Sequence, residues 1–156
     1  MKISFITVGK TQSAEIKALC DDYAKRIGRY TKLELLTIES TAQKTTDAQK
    51  MKTKEGELLM KKFASTDFVV LLDDKGKEFD SVQFAKWLDN LSAQSLKNVC
   101  FVVGGAYGFS DDVYKRANAK LSLSRMTFSH QIVRPIFLEQ LYRAFTIINN
   151  EPYHHA

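Results

Sequence analysis

Residues 98–110 read NVCFVVGGAYGFS, and this stretch decides the fold class. Asn98–Val103 is a short run of apolar and β-favouring residues with no polar alternation, the pattern of a strand covered on both faces. Gly104 and Gly105 break it. Ser110 then supplies an N-cap hydroxyl, and Asp111 and Asp112 follow in the first turn, where the helix dipole favours negative charge, so a short helix runs to about Arg116. A buried strand, a glycine turn and a capped helix together form one unit of a parallel α/β sheet.

The same alternation extends in both directions. Upstream, Lys2–Val8 alternates Ile3 and Phe5 with polar positions and stops at Gly9, and residues 13–29 carry Ile16, Leu19, Tyr23 and Ile27 on one helical face. Leu33–Ile38 reads as a second strand, residues 40–48 as a polar loop, and residues 49–63 as a helix with Leu58, Leu59 and Phe63 on its apolar side. Residues 68–72 form another doubly covered strand, and residues 81–91 a helix bearing Val82, Phe84, Ala85, Leu88 and Leu91. Downstream, residues 121–124 make a short strand, and residues 132–148 a final helix. Strand alternating with helix along the whole chain predicts one α/β domain over residues 1–156, a mostly parallel sheet flanked by helices. At 156 residues, with 44% hydrophobic and 26% charged, one core suffices.

No apolar run approaches the ~20 residues that cross a bilayer, and no secretory cleavage pattern follows the N-terminus, so a cytoplasmic protein is expected. Cys20 and Cys100 lack metal-ligand spacing and read as core thiols, so no metal is expected. The net charge of +5 is distributed unevenly. Residues 1–62 and 113–156 are basic while residues 63–112 are acidic, which suits a polyanionic partner docking on both ends of the chain, or simply lysines that solubilise helix faces.

In sheets of this kind ligands sit beyond the carboxyl ends of the strands, which directs the search to the segments after Leu72, Val103 and Ser124. Gly104, Gly105 and Gly108 let the backbone approach a ligand closely or take positive φ. VVGGAYG does not match the GxGxxG phosphate fingerprint, and no Walker pattern occurs, so a nucleotide-like ligand would be held by loop amides and apolar walls. Residues 121–156 add small polar residues after a strand, three arginines, three histidines and an unusually apolar helix.

VGK at 8–10, KEGE at 54–57, Leu72-Asp73, GGAYGFS at 104–110, LSLSRMTF at 121–128, LEQLYRAF at 138–145 and NNEPYH at 149–154 occur in one order across the chain. In this combination the sequence resembles the SPOUT-class pseudouridine methyltransferases of large-subunit ribosomal RNA. The resemblance implies a trefoil-knotted C-terminal region, a homodimer, S-adenosylmethionine as methyl donor and a ribosomal pseudouridine as acceptor. It places the cofactor against Leu72, Gly104, Leu123, Ser124, Arg125, Met126, Thr127 and Phe128. The chain departs from the family pattern at Ser129, where proline commonly stands, which would loosen the loop before the last helix. Pro135 stands at an aliphatic position and is tolerated only in the first helical turn. At His155 a basic residue is usual.

For methyl transfer to an imide nitrogen, the polar candidates are His130, Arg134, Arg143, Tyr153 and His154. Arg143 is taken as the anion-stabilising or RNA-orienting group and His154 as a contributor to proton removal or base positioning. Competing readings are an i,i+4 pair of Arg143 with Glu139 and a frayed terminal tail. The last helix carries apolar residues almost all round, more than one core is expected to cover, consistent with a dimer. Two other readings remain open, a ribosome-binding module without catalysis and a small-molecule enzyme of the doubly wound class.

Overall fold

The computed structural model describes residues 1–39 and 46–155. Its elements run β1 (Lys2–Val8), α1 (Ala14–Ile27), β2 (Leu33–Ile38), α2 (Ala48–Lys62), β3 (Phe68–Glu78), α3 (Ser81–Ser92), β4 (Asn98–Val103), α4 (Asp111–Arg116), β5 (Ala119–Ser122) and α5 (Val133–Ile148). The strands form one sheet in the order β2-β1-β4-β3-β5, with every neighbouring pair parallel. The alternating pattern therefore gives the architecture expected of it. Residues 40–45, the bulk of the expected polar loop, lie outside the described residues.

Each central strand sends successive side chains to opposite faces, and both faces are roofed. Ile3, Phe5, Val70, Phe101 and Leu121 join one apolar cluster with residues of α1, α3 and α5. Ile6, Val8, Val69, Leu71 and Val102 join another with Leu59 of α2 and Val113 of α4. β1 is consequently buried from Ile3 to Val8, its polar positions included: Ser4 and Thr7 are buried, and Ser4 is satisfied by the Asn98 side chain at 3.2 Å. The first cluster is centred on Phe137, whose ring centroid lies 4.9 Å from that of Phe5 and 4.8 Å from that of Phe101. Such aromatic pairs add about 0.5–1.5 kcal/mol each beyond the area they bury.

Local chemistry sets the element ends. Ser13 caps α1, Asp80 and Gln83 form a capping box on α3, and Ser110 caps α4 through Val113 N–H. β3 runs six residues past the apolar stretch that marks it in sequence, because after a register shift between Leu72 and Lys77 its polar end pairs again with Leu121 and Ser122. β5 begins two residues earlier than its apolar residues suggest, because Ala119 and Lys120 pair with Val70 and Leu71.

Two expectations about α5 change. Within a single copy none of its residues is exposed, so one core covers the helix more fully than its all-round apolar pattern implied, through α1 and α3 packed on either side. Ser129 does not loosen the entry: its hydroxyl accepts Ile132 N–H at 3.1 Å and its carbonyl accepts Val133 N–H, closing the turn that starts the helix. Pro135 falls at the third helical position, inside the first turn where its missing N–H leaves no gap in the ladder. Among the described residues no helix is long and apolar enough to cross a membrane. Nor does any group of three His, Cys, Asp or Glu side chains among them stand together as a metal site.

Candidate functional site

Beyond the carboxyl ends of β3, β4 and β5, where Leu72, Val103 and Leu121 sit side by side, opens a cleft of about 600 Å³. That volume suits a drug-sized organic ligand. Three turns build its walls: residues 73–75 after the apolar part of β3, the glycine turn 104–109 after β4, and residues 123–130 after β5.

The glycine turn is shaped by its neighbours. Gly108 takes a φ of +83°, and Gly105 and Gly108 pair with one another as an isolated bridge, folding the loop into a tight lobe. Gly105 is needed for close approach, since a Cβ there would stand 2.5 Å from a carboxylate oxygen of Glu55, a buried side chain on α2. The KEGE segment thus acts at a distance in sequence: Glu55 packs on Gly105, and Gly56 lets α2 approach the Ser110 cap of α4. In sequence these residues look like the polar side of a lysine-rich helix. The visible signal was a glycine inside an otherwise good helix former, which marks close packing.

Of the eight residues expected to hold a cofactor, seven line this cleft: Leu72, Gly104, Leu123, Ser124, Met126, Thr127 and Phe128. Arg125 does not. Its side chain is 85% exposed and reaches outward to Glu78 at 3.1 Å, because residues 122–126 form a turn that directs it away from the cleft. The Ser124 hydroxyl accepts Met126 N–H at 2.9 Å and the Ser124 carbonyl accepts the Ser122 hydroxyl at 3.0 Å. Met126 is left at the mouth, 77% exposed.

The cleft also contains Asp73 and Tyr114, which carry no role in the sequence reading, and His130, one of its polar candidates. The Asp73 carboxylate accepts the Tyr114 hydroxyl at 2.6 Å and Lys75 N–H at 2.9 Å. Burial pushes the Asp73 pKa up, but these hydrogen bonds outweigh it and hold the group below the usual aspartate value; burial and Asp73 together push Tyr114 well up. Asp73 is therefore an ionised carboxylate at the rim. His130 lines the opposite wall, and burial, then the charge of Arg134, pulls its pKa below the ordinary histidine value, so it presents a neutral imidazole at pH 7. Leu72, Leu123, Met126 and Phe128 make up the apolar walls. The cleft can hold a flat, partly apolar ligand by its faces and loop backbone, with one carboxylate and one imidazole for polar groups.

Arg143 and His154 are brought together with each other but do not line the cleft. Arg143 Nη1 is 3.1 Å from His154 Nδ1, its Nη2 pairs with Glu139, and the Tyr153 hydroxyl donates to the same Glu139 oxygen at 3.0 Å. The i,i+4 pair with Glu139 is real, but it is one edge of a network. A guanidinium only donates, so His154 Nδ1 must accept and the ring proton resides on Nε2. Arg143 Nε is buried with no hydrogen-bond partner among the described residues. The tail is docked and not frayed: Glu151 accepts the Tyr30 hydroxyl at 2.7 Å, and the Tyr153 ring packs edge-on against Tyr142 at 4.7 Å.

This docking has a pH signature. Burial first, and then the Glu151 bond, raises the Tyr30 pKa to about 12, and Tyr153 is raised in the same direction by burial, Tyr23 and Glu139. A phenol whose folded pKa lies above its unfolded one favours the docked state fully below the ordinary value near 10 and ceases to do so as pH rises through the folded value. Amide exchange at residues 151–155 is expected to keep its neutral-pH protection up to about pH 10, after correction for intrinsic rate, and to lose it towards pH 12. A tail released below pH 9 would contradict this.

Comparison with known proteins points one way. Residues 1–154 match a family model described as a predicted SPOUT methyltransferase. Proteins named ribosomal RNA large subunit methyltransferase H from Christiangramia forsetii and Flavobacterium psychrophilum are each 49% identical over 156 residues, covering 99% of both chains. One of the same name from Cytophaga hutchinsonii is 44% identical over 155 residues, covering 99% of this chain and all of the relative.

Proposed function

The chain belongs to the SPOUT methyltransferase family, and on that premise we propose that it methylates N3 of a pseudouridine in large-subunit ribosomal RNA, with S-adenosylmethionine as donor. The observation that carries this reading is the cleft beyond β3, β4 and β5, which gathers seven of the eight residues expected around the donor. Its apolar walls, loop amides and ionised Asp73 suit an adenosine carrying a sulfonium, and its volume accommodates one. On the same reading residues 1–156 are one methyltransferase domain working in the cytoplasm. The passage from β5 to α5 forms the trefoil knot of the class. Supporting the knot, the chain leaves β5 at one edge of the sheet, crosses the ends of β3 and β4, and is tied to the end of β1 through Gln131 and Arg134.

When bound, the donor supplies an electrophilic methyl group on a sulfur that departs as a neutral thioether. Leu72, Leu123 and Met126 would hold the adenosine of the donor through apolar contact, and the turns at 104–109 and 123–128 would offer backbone groups for its polar atoms. Alignment of acceptor and methyl on one axis supplies much of the rate, several kcal/mol in well-oriented reactions. The imide proton must leave as the N–C bond forms, and a neutral acceptor of protons such as His130 at the wall suits that step. Arg143 stabilises the developing imide anion or orients the RNA, and His154, holding its proton on Nε2, positions the base by donation.

Because Arg143 and His154 do not reach their own cleft, the reading includes a homodimer in which the tail of one copy completes the site of the other. Tyr107, Met126 and Phe128 leave an apolar rim for such a partner, being 53%, 77% and 40% exposed. Two measurements test this. Calorimetry should show S-adenosylmethionine binding that Gly104→Trp abolishes; absence of binding to the unmodified protein would remove the proposed activity. Mixed dimers of Gly104→Trp with a chain truncated after Asn150 should recover methylation that neither parent shows, and no recovery would remove the shared site.

A further inference from the structure

A second cleft of about 340 Å³ opens between α1, the β1–β2 edge and the start of α5, and Arg134 forms its floor. Arg134 is 1% exposed. Its guanidinium donates to Val8 O at 2.8 Å, Gly9 O at 2.9 Å, Thr11 Oγ1 at 3.1 Å and His130 O at 2.9 Å. Those four bonds occupy four of its five N–H groups, and no carboxylate among the described residues is paired with it. Carbonyl oxygens satisfy hydrogen bonds but carry only partial charge, so a full positive charge lies buried without a counter-ion among the described residues, an arrangement that an anion would relieve. Burial accordingly pulls the guanidinium below the ordinary arginine range, and the nearby Cys20 is pushed up by burial and stays a neutral thiol.

The rest of the cleft has the same sign. Lys10 and Lys17 stand at its mouth, with Thr7, Thr11 and Thr37 hydroxyls along its wall. Asp21 is the one acid there, and Lys17 already holds it at 2.8 Å, leaving Arg134 and Lys10 as net charge. The Thr11 oxygen that accepts from Arg134 keeps its own proton free to donate outward. We propose that this cleft binds a phosphate group, one backbone phosphate of the RNA substrate, which supplies the anion that Arg134 lacks. The choice of an RNA phosphate rests on the proposed function. The position agrees with it, because Arg134 is bonded to the backbone of His130, whose side chain lines the donor cleft, so a strand anchored here passes beside that site.

The test uses the full chain and inorganic phosphate as probe, followed by Arg side-chain and backbone NMR. Phosphate should produce a saturable shift of Arg134 Nε–H and the Thr11 and Thr37 amides, with Gly104 and Met126 unmoved. Lys10→Gln, an exposed change, should weaken it several-fold. Thr11→Asp, which places a carboxylate against Arg134, should abolish the shift without lowering Tm. With an rRNA fragment, Lys10→Gln should reduce the log–log salt slope of binding by about 0.7–0.9, the value of one phosphate contact. No saturable shift, or an undiminished one in Thr11→Asp, overturns the site. A shift with an unchanged salt slope shows a free-phosphate site and overturns the RNA assignment. Donor binding is measured separately by calorimetry, so its failure would strike the proposed function and leave the phosphate result readable.

Discussion

Replacing Arg134 by methionine is expected to lower the unfolding free energy by about 3–5 kcal/mol, the largest single-residue loss the structure implies outside the aromatic core. Methionine fills much of the space, so the loss comes from Val8 O, Gly9 O and His130 O, three acceptors left without their charged donor. Each orphaned acceptor costs about 1–3 kcal/mol, offset in part by relief of the buried charge. Arg134→Lys should recover less than half, since an ammonium cannot span three carbonyls in a fixed fork. Urea unfolding at fixed protein concentration measures both. A loss under 1 kcal/mol for the methionine variant would show that the charge costs as much as its bonds return.

The second large effect is expected at Gly105. A methyl group there would lie 2.5 and 3.0 Å from the two oxygens of Glu55 and 3.1 Å from its carboxyl carbon. Glu55 is 6% exposed on a packed helix, so its carboxyl group has little room to give way and the glycine turn takes up part of the shift. A displacement of about 1 Å in a positioning element costs about 100-fold in rate. Gly105→Ala should therefore slow methyl transfer by up to about 100-fold, with weaker S-adenosylmethionine binding and a smaller loss of stability. The steric cause has its own check: shortening the neighbour in Glu55→Ala/Gly105→Ala should restore part of the affinity, giving a coupling between the two positions of at least about 1 kcal/mol. If the double variant binds no better than Gly105→Ala, the contact with Glu55 is not the reason.

The donor cleft was readable to different depths at different residues. The strand ends point to the segments after Leu72, Val103 and Ser124, while Leu72, Gly104 and the run from Leu123 to Phe128 follow residue by residue from the family resemblance. The Arg125 side chain faces outward because a turn alternates which side chains face inward, which a motif read as one stretch does not record. Tyr114 carries no mark in sequence, Asp73 stands only in a motif and His130 only among the polar candidates, since an acid, a phenol and an imidazole far apart in the chain become a site only when three turns meet. Arg143 and His154 are found bonded together, yet away from the cleft, and on the proposed reading a second copy would join the two halves.

The sequence by itself determined the succession of strands and helices, the Ser110 cap, the doubly covered centre of the sheet and the family. These depend on side-chain period and on contacts within four residues, which a linear string records. Tertiary structure alone decided that β3 pairs again beyond its bulge and that Glu55 shapes a turn fifty residues away. It also decided that Arg134, in the first turn of the last helix, serves as the buried clamp on the end of the first strand. Those outcomes depend on which distant segments share a boundary, and on whether a charge taken out of water finds a partner there.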